Sequence, residues 1–479
     1  MTSINKNAGT LRKDALGMWN IVFFVIATNG PLTALVGVIP TAILMGNGVG
    51  LPSTFLIVGL MYLLFAVGFV AMSRHIRNAG AFYAYVSTGL GRPLGTAAAF
   101  LAMTAYAGMQ IACYGLIGFF TSQALAGLGV TASWWVISIV VALLVQFFGT
   151  RNVAFNGRFL GLLMLAEMAV VVIFDVAVVL NGGGPEGFSA TSFLPSNVLV
   201  PGLGAALVFV GGAFMGFETT AIYAEEARDP VRTLPRATYV ALLIIMGFFA
   251  LSSWLFIVAI GPAQLTDRLA QDPGGIWFSL STQLVGPILA DAINVLLITS
   301  LFAVLLSFHN SLSRYLFSLG REGIVAKCFS RTHSKHQTPY IASTFQTVVS
   351  VILLALFGVS GADPMTQVMP LGSAPATIGI LSVQLMTCLA VIGFFRREHR
   401  GTTVWQRLIA PLASAVGLGW VLYMIITHMD LLTGGESVLN VLIPLAMLLV
   451  GGMGILLAGW LKWTKPQLYQ NLSRILSEV

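Results

Sequence analysis

Polarity along this chain is arranged in long blocks rather than in short alternation. Runs of mainly apolar residues, each near the roughly 20 that a helix needs to cross hydrocarbon, are separated by short segments carrying charge, Gly or Pro. Twelve runs are read, near 16–45, 52–72, 93–122, 133–149, 158–180, 201–225, 237–260, 286–317, 340–358, 372–394, 408–427 and 438–461. The pattern predicts an all-α integral membrane protein with 12 transmembrane helices. Residues 1–15 read as a polar N-terminal tail and 462–479 as a C-terminal tail. The first run is too long for the apolar core of a signal peptide and lacks a small-residue cleavage site, so the N-terminus is expected to be retained.

Composition agrees with lipid as the solvent. Only 9% of the residues are charged and 57% are hydrophobic, whereas a soluble domain carries about 25% charged residues. The 24 basic and 17 acidic side chains leave an excess of positive charge. Nucleic-acid binding would require those bases to cluster on a polar domain, and no such domain is seen. Their positions give a different meaning. Lys6, Arg12 and Lys13 precede the first run; Arg74, Arg77 and Arg92 follow the second, Arg151 and Arg158 the fourth, and Arg228, Arg232 and Arg236 the sixth. Arg314, Arg321, Lys327, Arg331 and Lys335 are assigned to the connection after the eighth run. Arg396, Arg397, Arg400 and Arg407 follow the tenth, and Lys462, Lys465 and Arg474 the last. With both termini cytoplasmic, 23 of the 24 bases fall on the inner side, leaving Arg268, which is the asymmetry expected of a multi-pass membrane protein in the cell membrane. The lipid bilayer is then the partner of the surface, and anionic headgroups sit beside these bases. Cys113, Cys328 and Cys388 have no CxxC spacing, so neither a disulfide framework nor a zinc site is indicated.

Two runs are interrupted. The first contains Ala27-Thr28-Asn29-Gly30-Pro31-Leu32-Thr33, where Pro31 cannot donate an amide and Gly30 is permissive. The sixth contains Gly211-Gly212-Ala213-Phe214-Met215-Gly216-Phe217-Glu218. In a bilayer, irregular backbone is tolerated where it lines a cavity. Interrupted helices at the first position of each half match the inverted-repeat plan of transporters, with substrate at the midplane. The halves are read as 16–180 and 201–394, followed by two peripheral helices over 408–461. A half-helix starting after the first break offers amides and a positive dipole end to a carboxylate, and unwound carbonyls in the sixth run suit an ammonium. Together they describe an α-amino acid. A proline kink and glycine-mediated helix packing are the structural alternative.

Beyond the second break the chain reads GFETTAIYAEEARDPVRTLPRA, from Gly216 to Ala237. This resembles the signature of the amino acid–polyamine–organocation superfamily of permeases, a Gly-Phe-Glu element leading into a Glu-x-x-x-Pro-x-x-x-x-Pro-x-Ala loop. NAGAFYAYVSTGLGRPLG (Asn78 to Gly95) and SRYLFSLGREG (Ser313 to Gly323) are similar to further segments of that superfamily. The resemblance implies a leucine-transporter-type 5+5 inverted repeat plus two peripheral helices. It also implies a permease that moves amino acids or related amines by alternating access, as symporter, antiporter or exchanger without ion coupling. Gly212, Ala213 and Met215 then map to the carbonyls that receive an amine. In place of the usual Gly-x-Gly break this chain has Thr28-Asn29-Gly30-Pro31, so side chains of Thr28, Asn29 or Thr33 are candidates to replace backbone donors.

The substrate-binding candidates are Thr28, Asn29, Gly30, Thr33, Tyr106, Gly212, Ala213, Met215 and Phe217; Phe209 and Phe214 are candidate gates, with core packing as the alternative. Glu218 is a candidate proton carrier beside the unwound segment, or else a structural cap holding a carbonyl. Ser307 and Asn310 are candidate oxygen ligands for a coupling cation, or else packing hydrogen bonds, so Na+, H+ and plain exchange all fit. Glu167 reads as a brace and His309 as a packing histidine. Glu225, Glu226, Arg228, Asp229, Arg232 and Arg236 are expected to pair among themselves as a cytoplasmic latch. A channel would be expected to show charge rings, and an enzyme a cluster of catalytic side chains at one face; neither pattern is present. No P-loop motif or cofactor-binding motif occurs.

Overall fold

Proline and glycine decide where the apolar runs become helices. Pro52, Pro93, Pro230, Pro287 and Pro411 each stand within the first turn of a helix, where a missing amide costs nothing and the fixed φ already suits the helix. The computed structural model describes residues 14–76, 82–151, 153–272, 274–397, 401–430 and 435–472. Lys6, Arg12, Lys13, Arg77, Arg400 and Arg474 of the charge pattern lie outside them, as do residues 78–81 of the second motif and the side chains of Arg158, Glu225 and Arg397.

In chain order the helices are α1 (Met18–Asn29), α2 (Ile39–Met45), α3 (Leu51–Ser73), α4 (Phe82–Leu90), α5 (Arg92–Gly127), α6 (Trp134–Gly149), α7 (Val153–Leu180), α8 (Pro195–Val198) and α9 (Leu203–Ala213). They continue with α10 (Thr219–Ile222), α11 (Pro230–Ile260), α12 (Leu265–Gln271), α13 (Ile276–Leu284), α14 (Pro287–Glu322) and α15 (Tyr340–Val359). Last come α16 (Met369–Arg397), α17 (Ala410–Thr427), α18 (Leu439–Thr464) and α19 (Pro466–Asn471). Among the described residues no β-strand forms; Leu16 and Ala227 make an isolated parallel bridge.

Ten spans among the described residues are long and apolar enough to cross a membrane. The predicted runs at 133–149 and 201–225 yield shorter apolar helices, Trp134–Gly149 and Leu203–Ala213. The latter is short because its run is broken at residue 214. Leu448 and Leu456 on α18 are 74% and 73% exposed and Val416 on α17 is 67% exposed, apolar surface of the kind that faces lipid rather than water. Inside, α5 lies along α16 and α18, α11 along α3, and α1 against α7, α11 and α14.

One boundary changes the charge reading. Helix α14 runs on to Glu322 and therefore contains Arg314 and Arg321, which the sequence reading assigned to a loop. Arg314 is buried and pairs with Glu226, its Nε and Nη2 donating to Oε2 and Oε1 at 2.5 and 3.2 Å. Its guanidinium also lies 5.0 Å from the ring centroid of Tyr223. The expected pairing within the acidic-basic loop is thus corrected for Glu226, whose partner comes from α14. Arg232 does meet Asp229 at 3.7 Å on the surface, while Arg228 Nε donates to the carbonyl of Asp14 at 2.9 Å and Arg236 is exposed.

Candidate functional site

The first interruption is confined to a few residues. Helix α1 ends at Asn29, and Gly30 follows with φ 54° and ψ 83°, the left-handed region that glycine enters without steric cost. The chain then resumes helical geometry with a π-helical stretch, Thr33–Val38, before α2. Such wide turns open a helix locally and recur at functional sites. The positive end of this second half is not left bare, as the sequence had led us to expect. Glu167 of α7 is buried, and its Oε2 lies 3.5 Å from the amide of Leu32, so a protein carboxyl already faces that helix end. Thr33 Oγ1 donates to Ser300 Oγ of α14 at 3.2 Å.

The second interruption spans residues 214–218, a series of turns between α9 and α10. Gly216 has φ 110°, and a Cβ built there would lie 2.4 Å from Cγ2 of Thr28. The two broken helices therefore touch at their breaks, and this contact requires glycine. Glu218 is buried inside the turn; its Oε2 accepts from the amide of Gly216 at 3.0 Å and its Oε1 from the hydroxyl of Tyr106 at 3.2 Å. It holds a backbone amide rather than the carbonyl proposed from sequence. The Gly212 carbonyl is also engaged, accepting from the amide of Met215 at 3.1 Å. The amides of Phe214, Thr220 and Ala221 go to the carbonyls of Gly211, Phe217 and Glu218. None of these turn bonds uses the carbonyls of Ala213, Phe214 or Met215.

A cavity of about 150 Å³ opens between the two breaks. Thr28, Asn29, Thr33, Ala34 and Val38 line it from the first broken helix, and Phe209, Gly212, Ala213 and Met215 from the second. Helix α14 adds Val304 and Phe308, α5 adds Met109, Ala112, Cys113 and Leu116, and α16 adds Met369, Ser373 and Thr377. A Cβ built on Gly212 would meet nothing within 4 Å, so the missing side chain is part of the space. Asn29 donates from Nδ2 to the carbonyl of Val25 at 3.3 Å, and its buried Oδ1 has no partner among the described residues. A buried acceptor without a donor carries a desolvation cost, and this one belongs to a residue of the cavity wall.

Of the residues named from sequence, Thr28, Asn29, Thr33, Phe209, Gly212, Ala213 and Met215 share this cavity, whereas Gly30, Tyr106, Phe214, Phe217, Glu218, Ser307 and Asn310 are not on its wall. Gly30 faces Val304, whose Cγ2 would be 2.6 Å from a Cβ there. Phe214 stacks on Tyr62 at 5.3 Å, and Phe217 meets Tyr62 and Phe65 edge-on at 5.1 and 5.4 Å. Both aromatics therefore fasten the turn to α3. Ser307 hydrogen-bonds to Thr28, and the two hydroxyls lie 3.1 and 2.7 Å from the carbonyl of Phe24, so one of them donates to that carbonyl and the other to its fellow hydroxyl. Asn310 sits beside Gly149 of α6, and its carbonyl accepts from Arg314 Nη1 at 3.1 Å. His309 is buried, with Nε2 2.8 Å from the Ser343 hydroxyl. From α5 the sequence named Tyr106, which is off the wall, and not Met109, Ala112, Cys113 or Leu116; the contribution of α16 was not foreseen. The signal lay in Gly108 and Gly372: a Cβ on either would come within 2.6 or 2.5 Å of the other's carbonyl oxygen, which seats the two helices directly on one another.

Comparison with known proteins agrees with this geometry. The amino acid permease family matches residues 21–466. A branched-chain amino acid permease of Bacillus subtilis is 22% identical over 450 residues, covering 88% of each chain. An aromatic amino acid permease of Lactococcus lactis is 26% identical over 61% of this chain and 66% of its own length. A lysine-specific permease of the same organism is 27% identical over 51% of each. The family and these relatives are transporters rather than enzymes, and with ten candidate spans this chain is a multi-pass membrane protein. With the family matching nearly its whole length, the chain belongs to the amino acid permease family.

Proposed function

We propose that this chain carries amino acids across the membrane by alternating access, binding each one in the cavity between the two helix breaks. The observation that carries the reading is the meeting of both breaks at one cavity, with the Thr28–Gly216 contact at its edge and Asn29, whose Oδ1 lacks a partner among the described residues, on its wall. The α-ammonium goes to the Asn29 side chain and the carbonyls of the turn after α9, and the carboxylate to the hydroxyl of Thr33, which turns from Ser300 Oγ to receive it. Space for about ten water-sized groups, at roughly 10–15 Å³ each, suits a free amino acid. The relatives named above carry branched-chain, aromatic and lysine substrates, which supports the amino acid over other amines.

Alternating access is supported by the layer next to the cavity. One turn before Thr28, Phe24 stacks on Tyr223 at 4.6 Å, and beyond them lies the Arg314–Glu226 pair. Leu16 seals the same layer, its amide donating to Glu226 O at 3.0 Å and its carbonyl accepting from the Arg228 amide at 2.9 Å. We take this side as the closed one, and the positive charge of its connections as cytoplasmic. The proposed architecture is the 5+5 inverted repeat, 16–180 and 201–394, with 408–461 peripheral; each unit begins with an interrupted helix, which supports it.

Uptake of radiolabelled amino acids by liposomes holding the purified protein tests the reading, with and without a sodium gradient and at two pH values to identify the coupling. The wild type is expected to accumulate at least one amino acid, and Gly212→Trp, which fills the cavity, to lose uptake while remaining folded. Unchanged uptake by the tryptophan variant would overturn the assignment of this cavity.

A further inference from the structure

We infer that the cavity selects α-amino acids whose side chains are uncharged and apolar, of about leucine or methionine size, and seats that side chain against facing stripes of α5 and α16. The inference rests on the reading of the cavity as the substrate site and narrows it to one substrate class.

The cavity has two unlike walls. Thr28, Asn29 and Thr33 gather polar atoms on the first broken helix, which packs against α7, α11 and α14. Helices α5 and α16 pack against each other instead. On α5 the lining residues Met109, Cys113 and Leu116 recur at spacings of four and three, and on α16 Met369, Ser373 and Thr377 recur every four, so each set forms one stripe on one helix face. The Gly108–Gly372 contact locks the stripes into a single surface. An amino acid has the same division, a polar α-carbon end and a side chain, and fits with its polar end toward Asn29.

The α5–α16 wall discriminates by charge, since it carries the Ser373 and Thr377 hydroxyls but no formal charge. Among the described residues no Asp, Glu, Lys, Arg or His lines the cavity. Glu218 is off the wall and occupied by Gly216 and Tyr106. The hydroxyl of Thr377 is likewise spent, donating to the carbonyl of Ser373 at 2.9 Å. A lysine or glutamate side chain would enter without a counter-ion, and a charge desolvated without a partner is strongly disfavoured. The wall is also soft. Two methionines and a cysteine are polarizable, and the methionines are flexible enough to refit around aliphatic side chains of differing branching, whereas the limited volume disfavours tryptophan.

Competition for uptake of radiolabelled leucine by reconstituted full-length protein tests this. Leucine, isoleucine and methionine are expected to compete, and lysine, arginine and glutamate to be weaker by about a hundredfold or more. Lysine or glutamate competing as well as leucine would overturn the inference while leaving amino acid transport intact; no uptake of any amino acid would instead remove the underlying reading. Binding is read independently in a Cys328→Ser background, where saturating leucine is expected to slow alkylation of Cys113 by N-ethylmaleimide and lysine is not. Equal protection by both overturns the charge selectivity. Ser373→Asp supplies the missing counter-ion, so lysine is expected to gain and leucine to lose competition in that variant if it elutes as folded protein; a folded variant with no gain for lysine counts against the placement of the side chain on α16.

Discussion

Cγ2 of Thr28 stands 2.4 Å from where a Cβ on Gly216 would be. The two broken helices are therefore spaced by the absence of one methyl group, and Gly216 also holds φ at 110°, which a side chain resists. Gly216→Ala is expected to destabilise the protein by about 2–3 kcal/mol through strain and overpacking and to abolish uptake. Adding Thr28→Ser removes the clashing methyl but leaves the backbone strain, so the double variant is expected to recover part of the loss. Thermal unfolding of the four purified proteins measures this, and strict additivity would show that the breaks do not press on one another.

The Arg314–Glu226 pair is enclosed by protein, with both side chains almost wholly buried. Removing one partner of such a pair leaves a charge without compensation, at a cost of about 3–5 kcal/mol, whereas removing both together is far milder. Arg314→Met and Glu226→Leu are each expected to lower thermal stability sharply, and the double substitution to lie closer to wild type than either. If the double variant is as unstable as the sum of the singles, the pair does not act as a unit.

The breaks were legible because their cause is local. Proline at residue 31 lacks an amide and glycines at 211, 212 and 216 are poor helix formers, so residues 27–33 and 211–218 could be marked without coordinates. The other wall was not legible, since Met109, Cys113 and Met369 look like any lipid-facing or packed residue of an apolar run. Side-chain direction inside the turn was also hidden. Phe214 and Phe217 leave the cavity because Tyr62 and Phe65 of α3 offer them an aromatic contact. The sequence likewise gave no means of joining Glu226 to a base 88 positions away, and its neighbours Arg228 and Arg232 were the nearer choice.

Glu218 serves two donors at once, the Gly216 amide and the Tyr106 hydroxyl. Glutamine supplies one acceptor oxygen and sets an N–H against whichever donor remains. Glu218→Gln is expected to cost about 1–3 kcal/mol, the price of a buried group left unsatisfied. Tyr106→Phe in that background is expected to cost less than it does in the wild type, because the hydroxyl has already lost a good acceptor. Equal effects of Tyr106→Phe in the two backgrounds would mean that the hydroxyl does not hold Glu218 in place.

Cys328 offers a direct test of which way the chain crosses the membrane. It lies in the 3-10 turn Lys327–Ser330 after α14 and is exposed, whereas Cys113 and Cys388 are buried. Lys327 and Arg331 flank it, and bases in short loops next to membrane helices are retained on the cytoplasmic side. A membrane-impermeant maleimide is therefore expected to leave intact cells unlabelled and to modify the protein in inverted vesicles, with Cys328→Ser abolishing the signal. Labelling from outside intact cells would turn the protein over, because Arg268 would then be the single base left within. The buried Arg314–Glu226 layer would in that case close the outer face of the cavity, reversing the side from which substrate is admitted.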